Sequence, residues 1–449
     1  MTAVTASRKS VRKSSGRRRI TPEDLLRLHF VCDPQISPDG GTIVFVKKHV
    51  GDKNEYVSNL WLVAASGGEP RQFTSSGKDS VPRWSPAGDR IAFVSGRHKP
   101  KPQVYTISAG GGEAVALTAF PEGWIGSFKW SPDGKLIAVS FREQDPEWTD
   151  EAKKKRKDDG SSDPPRVLDD IWYRLDGDGY FNAQRYHLYL VDVASGNHRK
   201  VYTRDALGFF SFDFSPDSKR LVIGTNRDRR ALMKDWNDDL LLLEVGTGKL
   251  KAIPNLPRGP KDSVCFSPRG DLVAYAGREG GDDVYGTENL ELWVCDPVKG
   301  RARSLTGGGD YCLLAIALSD VADVVFGPTF RWSPDGGRLY VQLGWHGESH
   351  IASIGTGGDR VTFLTSGPIM LQMGNLSTDG KRMALLTSHT AAPDEVAVGE
   401  VAPRSIEVRV LTSFNKPLLG ERDVAKIQSH WVKVADGTRV QLWVMRPPA

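Results

Sequence analysis

The two histidines four residues apart in His346-Gly347-Glu348-Ser349-His350 are the first residues in the sequence whose types suggest chemistry. A zinc hydrolase of the HExxH kind needs both rings on one helical face, with the glutamate as base. Here Gly347 interrupts a segment that joins Val341 to Leu343 with Ile351, so the stretch reads as a hairpin loop. Asp176-Gly177-Asp178-Gly179 opens like a calcium loop, yet His187 stands where the twelfth position calls for a bidentate glutamate. Gly110-Gly111-Gly112 and Gly307-Gly308-Gly309 lack a Walker lysine and read as turns, not phosphate cradles. A hydrolase nucleophile elbow places its serine between glycines at −2 and +2, and no serine here has both. The cysteines Cys32, Cys265, Cys295 and Cys312 form no CxxC pair, and two lie in apolar runs, which favours buried thiols in a reducing cytoplasm. On these grounds neither a metal nor a cofactor is expected.

The 449 residues are 26% charged and 39% hydrophobic, the composition of an ordinary globular protein. Apolar runs such as Leu240 to Leu243 and Tyr311 to Leu318 are far shorter than the 18 or so residues a bilayer requires, so no membrane partner is expected. The net charge of +5 comes from the start of the chain, where Arg8, Lys9, Arg12, Lys13, Arg17, Arg18 and Arg19 stand without an acid. That leader lacks both the apolar core of a signal peptide and the spaced apolar face of a transit helix. It reads as a disordered solubilising tail over residues 1–20, with no nucleic-acid partner expected.

One tetrapeptide organises everything else. It occurs as Ser37-Pro38-Asp39-Gly40, Ser85-Pro86-Ala87-Gly88, Ser131-Pro132-Asp133-Gly134, Ser215-Pro216-Asp217-Ser218, Ser267-Pro268-Arg269-Gly270, Ser333-Pro334-Asp335-Gly336 and Ser377-Thr378-Asp379-Gly380. Successive serines lie 48, 46, 84, 52, 66 and 44 residues apart, about one propeller blade each with insertions in the third and fifth intervals. Pro presets the second position of a type I turn, Asp suits the next, and Gly accepts the left-handed conformation, so each copy is a strand-to-strand turn. An aromatic precedes most copies (Trp84, Trp130, Phe214, Phe266, Trp332) and serves core packing. An apolar strand follows, then one of the Leu60-Trp61-Leu62-Val63 type, then a fourth ending in a hydrophobic-Thr pair such as Phe73-Thr74 or Leu411-Thr412. The pattern predicts an all-β fold, a seven-bladed β-propeller of four-stranded antiparallel blades.

The opening Ile20-Thr21-Pro22-Glu23-Asp24-Leu25-Leu26, running through Asp33-Pro34-Gln35-Ile36 into the first turn, resembles the start of the propeller in prolyl oligopeptidase family serine peptidases, in their acylaminoacyl-peptidase and dipeptidyl-peptidase branch. The closing Leu411-Thr412-Ser413-Phe414-Asn415, a Trp431 to Val434 strand, Asp436-Gly437 and a Val440 to Val444 strand before Arg446-Pro447-Pro448 is similar to that family's hinge. The resemblance implies a short N-terminal helix, a propeller over 21–412 with an insertion at 142–185, and a hinge hairpin over 413–449. It also implies that an α/β-hydrolase domain with a Ser-Asp-His triad should follow Ala449, so the chain is expected to be a propeller half, inactive alone, from a truncated gene product or a cut at the hinge.

In such an arrangement the chain enters each first strand and leaves each fourth strand on one face, which the ends of the second strands share. There, eight or nine residues after the last turn residue, stand Lys48, Arg97, Arg142, Arg227, Arg278 and His389, with Trp345 in the remaining blade. A collar of this kind facing an active site is expected to hold peptide carboxylates or acidic side chains. The candidate substrate contacts are therefore Arg97, Arg142, Glu143, Arg227 and Arg278. In dipeptidyl-peptidase relatives a pair of propeller glutamates grips the substrate amine; Glu143 and Glu147 are nearest to that role here but are not adjacent. The insertion, with Lys153-Lys154-Lys155-Arg156-Lys157 beside Asp158-Asp159, reads as a solvated loop or a flap. The expected function is substrate gating for a peptidase of short peptides, with a hydrolase domain in cis or in trans as partner and a homo-oligomer compatible with the sequence. The alternative is a stand-alone scaffold of the TolB kind.

Overall fold

The structure, a computed structural model, describes residues 16–100, 102–234, 236–280, 289–314, 327–358, 360–389 and 391–447. Arg8, Lys9, Arg12 and Lys13 of the basic leader lie outside the described residues. The fold is predominantly β. Among the described residues, five four-stranded antiparallel sheets follow one another along the chain, then an eight-stranded sheet built from two further four-strand runs, with three two-stranded sheets besides. The first unit is typical: Phe30–Ile36, Thr42–Val50, Tyr56–Ala64 and Arg71–Gln72 pair in sequence order. The two runs of the large sheet meet at one parallel pair, Ser349 with Met370.

Apolar side chains alternate along the strands and fill the spaces between consecutive units. One cluster joins Val44 and Leu60 of the first unit to Phe93 and Tyr105 of the second, and comparable clusters follow around the molecule. The last one joins Ile36 and Phe45 to Leu386 and Val398, so the sheets form a closed, propeller-like ring. Fully burying each such side chain contributes roughly 1.5–3 kcal/mol. The first strands are buried or half-buried and the fourth strands short and exposed, which places the fourth strands at the rim and the first strands around the axis. Among the described residues ring closure uses no exchanged strand: the Asn375 amide donates to the Ile36 carbonyl (2.9 Å) and accepts from its N–H (2.7 Å).

The repeated turns show why serine opens them. Its hydroxyl donates to the Asp two positions on, at 2.6 Å in Ser131–Asp133, Ser215–Asp217 and Ser333–Asp335, and accepts the backbone N–H five positions on, as from Leu136. Where Ala87 and Arg269 replace that Asp, Asp89 and Asp271 supply the acceptor from two positions later, each at 2.7 Å. Neighbouring turns nest so tightly that a Cβ on Gly380 would come within 2.7 Å of Pro334. The threonine of the hydrophobic-Thr pair ties the fourth strand to the third: Thr74 accepts from Leu60 N–H at 3.0 Å, Thr118 from Val104 at 2.9 Å and Thr412 from Val396 at 2.9 Å.

Candidate functional site

Both ends of the ring come together on one face. The 3-10 helix Pro22–Arg27 lies beside the segment that leaves the last sheet, and the Arg422 guanidinium grips the Asp24 carboxylate through two bonds of 2.5 and 2.6 Å. That fork, with the Thr21 N–H, holds the Asp24 carboxyl far below the usual range. Arg18 and Arg19 pair in parallel with Arg422 and Asp423, and Asn415 brackets the His29 backbone with bonds of 2.8 and 2.7 Å. The strands Lys426–Lys433 and Arg439–Arg446 then form a hairpin. It rests on the turn between the second and third strands of the sixth unit, where the His346 ring meets Trp431 at 5.0 Å and a Cβ on Gly347 would lie 2.8 Å from the Trp443 indole nitrogen. Contact with that turn puts the hairpin on the face that carries the second-strand ends.

On the same face the arginines are held by acids of their own units. Arg97 reaches the fully buried Asp79 at 2.9 Å and lies over the Phe93 and Tyr105 rings at 5.3 and 4.9 Å. Arg142, only 3% exposed, makes a two-pronged pair with Asp178 (2.8 and 2.6 Å) inside a cage of Trp124, Phe181 and Tyr186 rings, each within 5 Å of the guanidinium carbon. Arg227 pairs with Asp239 at 2.6 Å and keeps 42% of its side chain exposed. Glu143, opposite Gly123 at its strand end, is exposed. Arg278 is buried at the rim of a cavity of about 580 Å³ that Glu291, Trp293, Asp310 and Tyr311 also line. The five residues thus sit at strand ends of four different units, and Arg97, Arg142 and Arg227 each pair with an acid.

The insertion is more ordered than a solvated loop. Thr149 caps a ten-residue helix, Asp150–Asp159, by accepting the Ala152 N–H, and Gly160 ends it in the left-handed region at φ 66°. None of its residues is buried, so it has no apolar face to reveal it in the sequence. Its first turn is tied to the ring by Lys99–Asp150 at 2.7 Å and by the Asp150 N–H on the Glu122 carboxylate. The returning limb is fastened by Arg166 over Trp148 at 3.5 Å and by Arg185 on the Ala206 carbonyl at 3.1 Å. These contacts are invisible in sequence because their partners are about twenty residues apart with no repeating spacing. Asp178, whose spacing suggests calcium, spends both oxygens on Arg142. His346 and Gly347 form the hairpin turn (φ 52° and 72°), while His350 is buried against Glu348 and Thr365, so the two rings do not converge on a metal.

No hydrolytic constellation is built from these groups. A sequence model of the TolB β-propeller domain matches residues 27–161. The chain is 30% identical over 436 residues to an uncharacterized peptidase, YuxL, of Bacillus subtilis (strain 168), covering 95% of this chain and 64% of that protein. It superposes on the acylaminoacyl peptidase of Pyrococcus horikoshii with a TM-score of 0.70 at 14% identity, over 95% of this chain and 59% of that one. The β-propeller domain of the Trilobed protease from Pyrococcus furiosus, described as having an open velcro topology, gives 0.58 at 14% identity over 88% of this chain and 98% of its own. The chain therefore spans just under two thirds of the length of the peptidases it matches, and these structural likenesses establish the fold.

Proposed function

We infer that this chain, which resembles prolyl oligopeptidase family peptidases and matches their β-propeller portion, acts as the substrate-gating domain of such a peptidase. The observation that carries the reading is that both ends of the ring, the hinge-like hairpin and the strand-end collar share one face. A hydrolase domain joined there in cis or in trans would have its nucleophile roofed by the ring, and only short peptides would reach it. In this reading the ring is a seven-bladed propeller of four-stranded blades over 21–412, interrupted at 142–185, and 413–449 is the hinge. The collar serves specificity: the half-exposed Arg227 offers charge to acidic or free-carboxylate peptides, Arg278 lines a cavity at its own strand end, and Arg97 and Arg142 hold the walls that shape the opening. Glu143 is the exposed acid beside them.

The hydrolase domain and its triad are not represented in the structure, so the chain alone is expected to be inert. A fluorophosphonate probe should label no serine in it, and single-site labelling with turnover of an acyl-peptide would defeat the reading. The four cysteines, none of them in a CxxC pair, support a reducing, cytoplasmic setting. A stand-alone protein-binding scaffold is the second reading, favoured by the TolB-type match over residues 27–161. It would be preferred if the chain bound a folded protein tightly and no hydrolase domain.

A further inference from the structure

The residue two positions before each turn serine belongs to the first strand of its unit, and together these residues form a belt around the axis: Gln35, Arg83, Lys129, Asp213, Cys265, Arg331 and Asn375. Most of the belt is internally satisfied. Asp33 accepts Arg83 at 2.7 Å and the Gln35 amide at 2.8 Å. Asp213 accepts Lys129 at 3.1 Å and the Phe266 N–H at 2.9 Å, and Asn375 is committed to Ile36.

Arg331 is the exception. Among the described residues its one hydrogen bond runs from Nη1 to the carbonyl of Phe330, at 2.8 Å, which leaves the Nε/Nη2 edge of the guanidinium unfilled. Burial pulls its pKa down, Cys265, Asp213 and Asp33 oppose that, and Arg83 reinforces it, all four being carried by other first strands. The nearest neutral candidate for a counter-charge cannot supply one, because burial pushes the Cys265 thiol up to about 12. The belt thus holds three cations, Arg83, Lys129 and Arg331, and one carboxylate, Asp213, which is paired with Lys129, while Asp33 beside the belt is paired with Arg83. A planar guanidinium edge with two parallel donors matches an oxyanion in both charge and geometry.

We propose that the axis of the ring, at the level of the turn serines, binds a small oxyanion, carboxylate or phosphate-like, on the Nε/Nη2 edge of Arg331. The site lies at the turn end of the first strands, away from the collar, and needs no hydrolase domain. The proposal is therefore independent of the peptidase reading. The oxyanion could be a free inorganic ion or the terminal carboxylate of a peptide lying along the axis.

Titration calorimetry at constant ionic strength tests it, with inorganic phosphate in one arm, and acetyl-trialanine as the free acid or the amide in the others. Binding of phosphate, or of the free-acid peptide but not its amide, is expected. Which of the two binds identifies the source of the oxyanion. Arg331→Gln should weaken that binding tenfold or more, the loss of charge-assisted hydrogen bonds, while Lys200→Gln on the outer surface should leave it unchanged. Equal affinity in Arg331→Gln, or no binding by any of the probes, overturns the proposal. Should Arg331→Gln not fold, crystals soaked in selenate decide: an anomalous peak beside the Arg331 fork is expected, and an axis without a peak contradicts the site.

Discussion

Removing the Arg142 guanidinium would strand Asp178 and empty a cage of three aromatic rings. Breaking a pair this buried costs about 3–5 kcal/mol, so Arg142→Met should lower the urea midpoint and open residues 144–186 to protease before the sheets unfold. Arg227 behaves differently because it is half-exposed and its pair with Asp239 is worth little to stability. In a chain joined to its hydrolase domain, Arg227→Ala should lower kcat/KM for free-carboxylate peptides by about tenfold and leave amidated peptides unaffected. An equal loss for both peptide types would make it a packing residue. The strand-end arginines were legible from their offset to the repeated turn. Their partners were not, since Asp178 arrives from an insertion and Asp79 from a first strand, and no sequence spacing joins them.

Single elements carry the next tests. The turn serines are buried and bonded on two sides, so Ser131→Ala leaves the Asp133 carboxylate and the Leu136 N–H without that partner. It should cost about 1–3 kcal/mol, read from the denaturation midpoint. Where the entry segment meets the last strand, burial, with the Lys47 and His49 charges nearby, pulls the His29 imidazole down to about 4. The unfolded chain takes up that proton near pH 6.5 and the folded one only near 4, so stability is full above about 6.5 and drains away as pH falls toward 4. The loss should be on the order of 2 kcal/mol once solvent screening is allowed for, and His29→Phe should flatten the urea midpoint across that window. The hairpin over 426–446 stands apart: Trp431, Trp443 and Met445 are 41%, 40% and 62% exposed, and a two-stranded sheet is marginal alone. Its amides should exchange faster than those of the sheets despite the contact with His346 and Gly347. Turn chemistry announced these elements in the sequence, but the first-strand bulges escaped notice, because a β-branched Val81 at φ 54° goes against every local preference.

At the scale of the molecule, the repeat made the all-β character and the sequential order of the sheets legible because each unit is a contiguous stretch of sequence with its own turn and core strands. Closure was harder to foresee: it rests on an apolar seam and on Asn375, neither of which differs in composition from any other inter-sheet contact. A closed ring over a shared face of chain ends and arginines is suited, in the proposed reading, to admit small substrates and exclude folded ones. The most direct test joins the chain to its hydrolase domain and compares kcat/KM for a short acyl-peptide with that for the same sequence held in a loop of a folded protein. Turnover of the free peptide with none of the folded protein is expected; cleavage of both at similar rates would contradict the gating role.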